Sequence, residues 1–122
     1  MAFRVEIAPR AFNDLDEIAA YIKRRGSFER AEEWFNGIID AIQTLEAMPS
    51  RSPIADESED LGEEVRVLLY GRRNRKYKIY YSIRHKGPST GTVRVFHVRH
   101  WARKSLSAEE VQTLMEEDPA NG

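Results

Sequence analysis

The stretch EEVRVLLYGRRNRKYKIYYSIRHKGPSTGTVRVFHVRHWARKSL, residues 63–106, decides how the chain is read. Three runs within it, Val65 to Tyr70, Tyr77 to Arg84 and Thr92 to Arg99, are rich in β-branched and aromatic residues, which suit a pleated, half-buried surface. The links between them, Gly71-Arg72-Arg73-Asn74-Arg75-Lys76 and His85 to Gly91, are short and carry the Gly, Asn and Pro of hairpin turns. An antiparallel three-stranded meander is expected. The same stretch holds twelve Lys/Arg against two Asp/Glu, whereas residues 1–62 hold seven against thirteen and residues 107–122 none against five. The formal net charge of -1 therefore hides a basic block between two acidic ones. A basic surface of that density attracts phosphates or carboxylates.

Upstream of the meander, Phe3, Val5 and Ile7 alternate with Arg4 and Glu6, the period of a strand that Ala8-Pro9 ends. The period then changes. Phe12, Leu15, Ile18, Ala19 and Ile22 share one side of a helix over about residues 10–25, with Asn13, Asp14, Asp16, Glu17 and Lys23 on the other. Gly26 suits its end, and Ser27 suits the N-cap of a second helix. There Ala31, Trp34, Phe35, Ile38, Ile39, Ile42 and Leu45 keep helical spacing up to Pro49. A link of two residues folds these helices back as an antiparallel hairpin. Residues 49–62 mix turn formers with acids and predict a surface connection. Downstream, Ser107-Ala-Glu-Glu110 is a capping box opening a short helix with Val111, Leu114 and Met115 on one side, and Asp118 to Gly122 is expected to fray.

The element order predicts an α+β fold, a β-α-α-β-β-β chain in which the helix hairpin packs on a small antiparallel sheet and a short C-terminal helix follows. A single domain over 1–106 with a helix and tail over 107–122 is expected. With no cysteine, disulfides, thiolate catalysis and thiolate metal sites are excluded. No apolar run approaches the roughly 20 residues of a membrane span, and the N-terminus lacks a secretory pattern, so a cytoplasmic protein without membrane contact is expected.

On the middle strand of the meander Tyr77, Ile79, Tyr81 and Ile83 take one face, and Lys78, Tyr80, Ser82 and Arg84 the other. One face is core; the other is expected to offer Lys78 and Arg84 to solvent. His97 and His100 fall on opposite faces of the last strand, poor geometry for one metal ion, and no cofactor or metal is expected. Tyr77, Tyr80 and Tyr81 suit either base stacking or cross-strand packing. The acids of the second helix, Glu29, Glu32, Glu33 and Asp40, read as its wet face.

Four segments taken together, Val5-Glu-Ile-Ala-Pro-Arg-Ala-Phe-Asn-Asp-Leu15, Glu64-Val-Arg-Val-Leu-Leu-Tyr-Gly71, Tyr77-Lys-Ile-Tyr-Tyr81 and Val93-Arg-Val-Phe-His-Val-Arg-His-Trp-Ala-Arg103, resemble the RelE/ParE superfamily of bacterial type II toxin–antitoxin toxins. The resemblance implies a helix hairpin on a small antiparallel sheet, and a cognate antitoxin as partner. It implies one of two activities. RelE-like members cleave mRNA on the ribosome without metal, while ParE-like members poison DNA gyrase with no known hydrolytic site. Cleavage needs a base for the 2′-OH, cations for the phosphorane and an acid for the leaving oxygen. The residues the resemblance offers for these roles are Lys78, Arg99 and Arg103 as cations, with His97 and His100 as proton carriers. Arg72, Arg73, Arg75, Lys76 and Arg84 are expected to bind substrate phosphates, and their density tilts the expectation toward mRNA cleavage. Two features lean the other way: no tyrosine follows Tyr81, and the long hairpin is closer to ParE-like members. A binding module that keeps the fold without toxicity is the third reading.

Overall fold

The computed structural model describes residues 3–55, 63–103 and 106–120. The elements are β1 (Arg4–Ile7), α1 (Pro9–Arg25), α2 (Phe28–Gln43) with a 3-10 turn at Thr44–Glu46, β2 (Glu64–Tyr70), β3 (Tyr77–Gly87), β4 (Thr90–His100) and α3 (Ala108–Glu116). Local chemistry accounts for most boundaries. Pro9 opens α1, where its missing N–H costs nothing. The Ser27 hydroxyl accepts the Arg30 N–H at 3.1 Å and starts α2. Ser107 and Glu110 close the expected capping box of α3.

The sheet order is β1-β4-β3-β2. The meander β2-β3-β4 is antiparallel, as its sequence predicts, and β1 joins its far edge in parallel, Val5 opposite Val93 and Ile7 opposite Val95. The parallel pairing follows from topology, because the helix hairpin is the crossover that carries the chain away after β1. Past Val95 the outer edge of β4 has no strand beside it among the described residues, and a register shift follows Tyr80 on β3.

The main core lies between the hairpin and one face of the sheet. Leu15, Ile38, Ile42, Leu45, Ile79, Tyr81, Val93 and Val95 are fully buried there. Each large side chain of this kind stabilises by about 1.5–3 kcal/mol. Trp34 and Phe35 pack on its margin.

The opposite face is not left to solvent as the sequence suggested. Leu106, Val111, Leu114 and Met115 pack with Val65, Tyr80 and Phe96 into a second core, because α3 has an apolar stripe of its own to bury. Nor does the tail fray at Asp118. That residue is 4% exposed and is gripped by Arg94. The connection after α2 is also anchored, since Tyr81 Oη donates to the Pro49 carbonyl at 2.7 Å and Ile54 bridges Arg66. Its remainder, 56–62, and the last two residues of the tail lie outside the described residues.

Candidate functional site: the basic end of the sheet

β3 begins and β4 ends at the same end of the sheet, with the β2–β3 turn beside them. Lys78 and Arg99 are direct cross-strand partners. Partners of this kind carry Cβ atoms about 4.5–5.5 Å apart on one face, so two cations from the expected set are brought together. The turn adds Arg72, Arg73, Arg75 and Lys76, and Arg103 follows β4. None of these five makes an ion pair with a described residue. The turn is held by its backbone. Gly71 sits at φ +112°, where a Cβ would meet the Arg75 carbonyl, and Arg73 adopts φ +55°.

His100 is the strut of this end. Its Nδ1 accepts the Ala102 N–H at 3.1 Å, which leaves the proton on Nε2, 2.9 Å from the Asn74 carbonyl. The Trp101 N–H adds a bond to the Lys76 carbonyl at 2.9 Å. Both imidazole nitrogens are therefore spent on backbone, tying the turn to the end of β4. Tyr77 packs edge-on against the His100 ring at 5.3 Å and against Trp34 at 5.2 Å.

His97 lies inside the protein, 4% exposed, with Nδ1 2.8 Å from Asp14 Oδ2 and its ring beside Tyr80. The alignment at Nδ1 is not that of a hydrogen bond, and Nε2 is buried without a hydrogen-bond partner among the described residues. Asp14 is the group the sequence reading missed. It was placed on the wet face of α1, yet it is buried and its Oδ2 accepts the Val98 N–H at 3.0 Å, while Arg10 Nε reaches Oδ1 at 3.4 Å. The carboxylate thus caps the strand edge that β1 leaves bare. Its spacing, three residues after Ala11 and four before Ile18, set it within the apolar stripe and was the available signal.

Arg84 belongs to the other end. Six residues separate it from Lys78, roughly 20 Å at about 3.3 Å per residue, and its Nη2 meets Glu63 at 3.1 Å. There the cations are matched by acids. Glu64 takes both Arg66 at 2.7 Å and His85 at 2.9 Å; burial would raise its pKa, but these two bonds outweigh it and hold the carboxyl below its usual range. Arg94 forms a two-pronged pair with Asp118, both contacts at 2.6 Å, and reaches Glu6 at 3.0 Å. The hydrogen bonds from Arg94 lower the Asp118 pKa, against the opposing effect of burial.

Two hollows adjoin the basic end. One of about 430 Å³ lies between α1 and the bare edge of β4, lined by Tyr21, Tyr77, His100, Arg99 and Arg103 among others. The second, about 510 Å³, lies against β2 and takes in Lys78, Arg51, Leu69 and Tyr80. Arg99 and Lys78 thus face different hollows although they are neighbours. Among the described residues no group of three acidic or histidine side chains suits a metal ion, and no helix is long and apolar enough to cross a membrane.

Residues 5–104 match the family described as the ParE toxin of type II toxin–antitoxin system, parDE. The chain belongs to the ParE toxin family. Its fold is similar to a chain of the chromosomal ParDE TA system from P. aeruginosa, with 19% identity, a TM-score of 0.58, and coverage of 80% of this chain and 95% of that one. No curated protein sequence matches it. The match to the ParE toxin family ends before α3, so the helix that covers the second sheet face lies beyond the matched span.

Proposed function

We propose that this ParE-family toxin acts by binding, as an inhibitor of DNA gyrase, and that a cognate antitoxin neutralises it by covering the basic end of the sheet. One observation carries the reading: at the basic end neither histidine expected as a proton carrier has an exposed ring nitrogen to spare. His100 has both nitrogens committed to the Asn74 and Ala102 backbone, and His97 has both of its own buried. Cations so arranged grip an anionic surface; they do not by themselves move the two protons that RNA cleavage requires. Arg72, Arg73, Arg75 and Lys76 on the turn, with Lys78, Arg99 and Arg103 beside them, are the proposed contact residues, and an acidic segment of the antitoxin is the complementary partner.

Purified protein added to a gyrase supercoiling reaction tests this: inhibition at substoichiometric to stoichiometric ratio is expected. Full supercoiling, together with new mRNA ends in induced cells, would replace the proposal with the second reading, ribosome-associated mRNA cleavage. That reading is favoured by the Lys78–Arg99 pairing, which brings two cations together on neighbouring strands, as stabilisation of a phosphorane asks. In that case Lys78→Ala and Arg99→Ala abolish cleavage. Growth arrest by the chain alone, relieved by co-expressing the protein encoded next to it, is expected under both readings and excludes an inert module.

A further inference from the structure

We infer that the tip of the helix hairpin, residues 23–30, is a second anchoring surface for the target protein, outside the surface that the antitoxin covers. The inference rests on the proposed function and adds the chemistry of the partner, an acidic protein surface with apolar area between its carboxylates. Lys23-Arg-Arg-Gly-Ser-Phe-Glu-Arg30 holds four cations against one acid, within a part of the chain that is otherwise acidic. Lys23, Arg24, Arg25 and Arg30 are exposed, and none makes an ion pair with a described residue. Helix stability accounts for only three of them. Cations in the last turn of α1 suit the negative end of its dipole, but Arg30 stands in the first turn of α2, where the dipole disfavours a cation. Its Cδ lies 3.1 Å from where a Gly26 Cβ would stand, so the side chain folds back over the link toward the cations of α1.

Aromatic rings are interleaved with these charges. Phe28 is 57% exposed with Lys23 Nζ 5.7 Å over its ring, and Tyr21 is 48% exposed with the Arg25 guanidinium 5.3 Å over its own. Tyr21 also lines the hollow that Tyr77 and His100 share, and Trp101, 40% exposed, lies 6.4 Å from the His100 ring. A band of rings and cations thus runs from the tip to the basic end, and one partner can rest on both. Composition selects that partner. Exposed Phe, Tyr, Trp and Arg are the residues enriched at protein interfaces and, for Tyr, Trp and Arg, among their hot spots. The outside of a DNA duplex offers Phe28 nothing but phosphate and sugar. A flat anionic bilayer would also face Glu29, Glu32 and Glu33, which are exposed on the same helix and which it repels. A protein surface can bury Phe28, pair carboxylates with the four cations and leave the acids of α2 in water.

Phe28→Ala, Phe28→Trp and the double variant Arg24→Glu with Arg30→Glu test the tip in three assays: gyrase supercoiling, growth arrest, and affinity for the antitoxin encoded next to the chain. Phe28→Ala is expected to raise the half-inhibitory concentration about fivefold or more, and the double variant about tenfold or more, while Phe28→Trp stays within about threefold of wild type. All three are expected to bind the antitoxin within about twofold of wild type, which together with circular dichroism confirms that they fold. Unaltered inhibition and growth arrest by Phe28→Ala and the double variant overturn the inference. So does an equal loss of antitoxin affinity, which would make the tip part of one shared surface. Binding to a labelled duplex or to phosphatidylserine vesicles that the variants lose, with gyrase inhibition kept, overturns it in favour of nucleic acid or membrane. If wild type leaves gyrase untouched, the proposed function fails, and the tip is judged by growth arrest alone: lost in the variants if the inference holds, kept if it does not.

Discussion

The two ends of the β3–β4 ladder both carry basic side chains and use them in opposite ways. At the β3–β4 turn end Arg84 meets Glu63, Glu64 takes Arg66 and His85, and Arg94 is clasped by Asp118 and Glu6. At the β2–β3 turn end Arg72, Arg73, Arg75, Lys76 and Arg103 meet no acid among the described residues, and the scaffold beneath them is backbone: a glycine turn, a histidine strut and the Trp101 bond to Lys76. One end is closed by charge pairing and the other is held rigid while its charge stays available. Rigid support for unneutralised cations costs self-repulsion, and the arrangement makes sense when a partner supplies the missing negative charge.

Reversing charge on the turn is the strongest way to break this contrast. Arg72→Glu combined with Arg73→Glu is expected to lower toxicity in a growth assay by at least tenfold while the thermal midpoint hardly moves; full toxicity would remove the turn from the working surface. Next in size is Asp14→Ala, which strands the Val98 N–H and is expected to cost about 2–4 kcal/mol in denaturant unfolding. An unchanged midpoint would mean that the strand edge needs no cap.

Asp118→Asn is expected to cost about 1–3 kcal/mol at neutral pH. Because the folded pKa of Asp118 is depressed, its contribution is present above the unfolded value near 3.9 and is lost as pH falls through the lower folded value. Wild type and variant should therefore converge in stability in acid, and a constant gap across pH would show that the pair contributes nothing through charge. The smallest effect is expected at Arg84→Ala. Its pair with Glu63 is solvent-exposed, so a change within about 0.5 kcal/mol and unaltered toxicity are expected. A loss of toxicity there would merge the two ends into one surface.

Much of the fold was legible because it rests on local signals. Ser27, the Ser107–Glu110 box and the period-2 meander each act within a few residues, and each is where the sequence predicts it. The candidate site was legible in composition and not in grouping. Lys78 and Arg99 meet through a cross-strand register that a shift after Tyr80 displaces by one residue. Arg84 lies on the same strand face as Lys78, yet distance and Glu63 set it apart. The two histidines read as proton carriers by residue type, and only their surroundings show one buried and one bonded at both nitrogens.

By itself the sequence determined the α+β class, the helix hairpin, the meander and the concentration of positive charge, because periodicity, caps and turns are properties of neighbouring residues. Tertiary structure alone decided which cations are neutralised. Glu6 reaches Arg94 across 88 residues, Asp14 reaches Val98 across 84, and Asp118 seals a face that looked open. Charge is additive along a chain, but its availability depends on which opposite charge folding brings within a few ångströms.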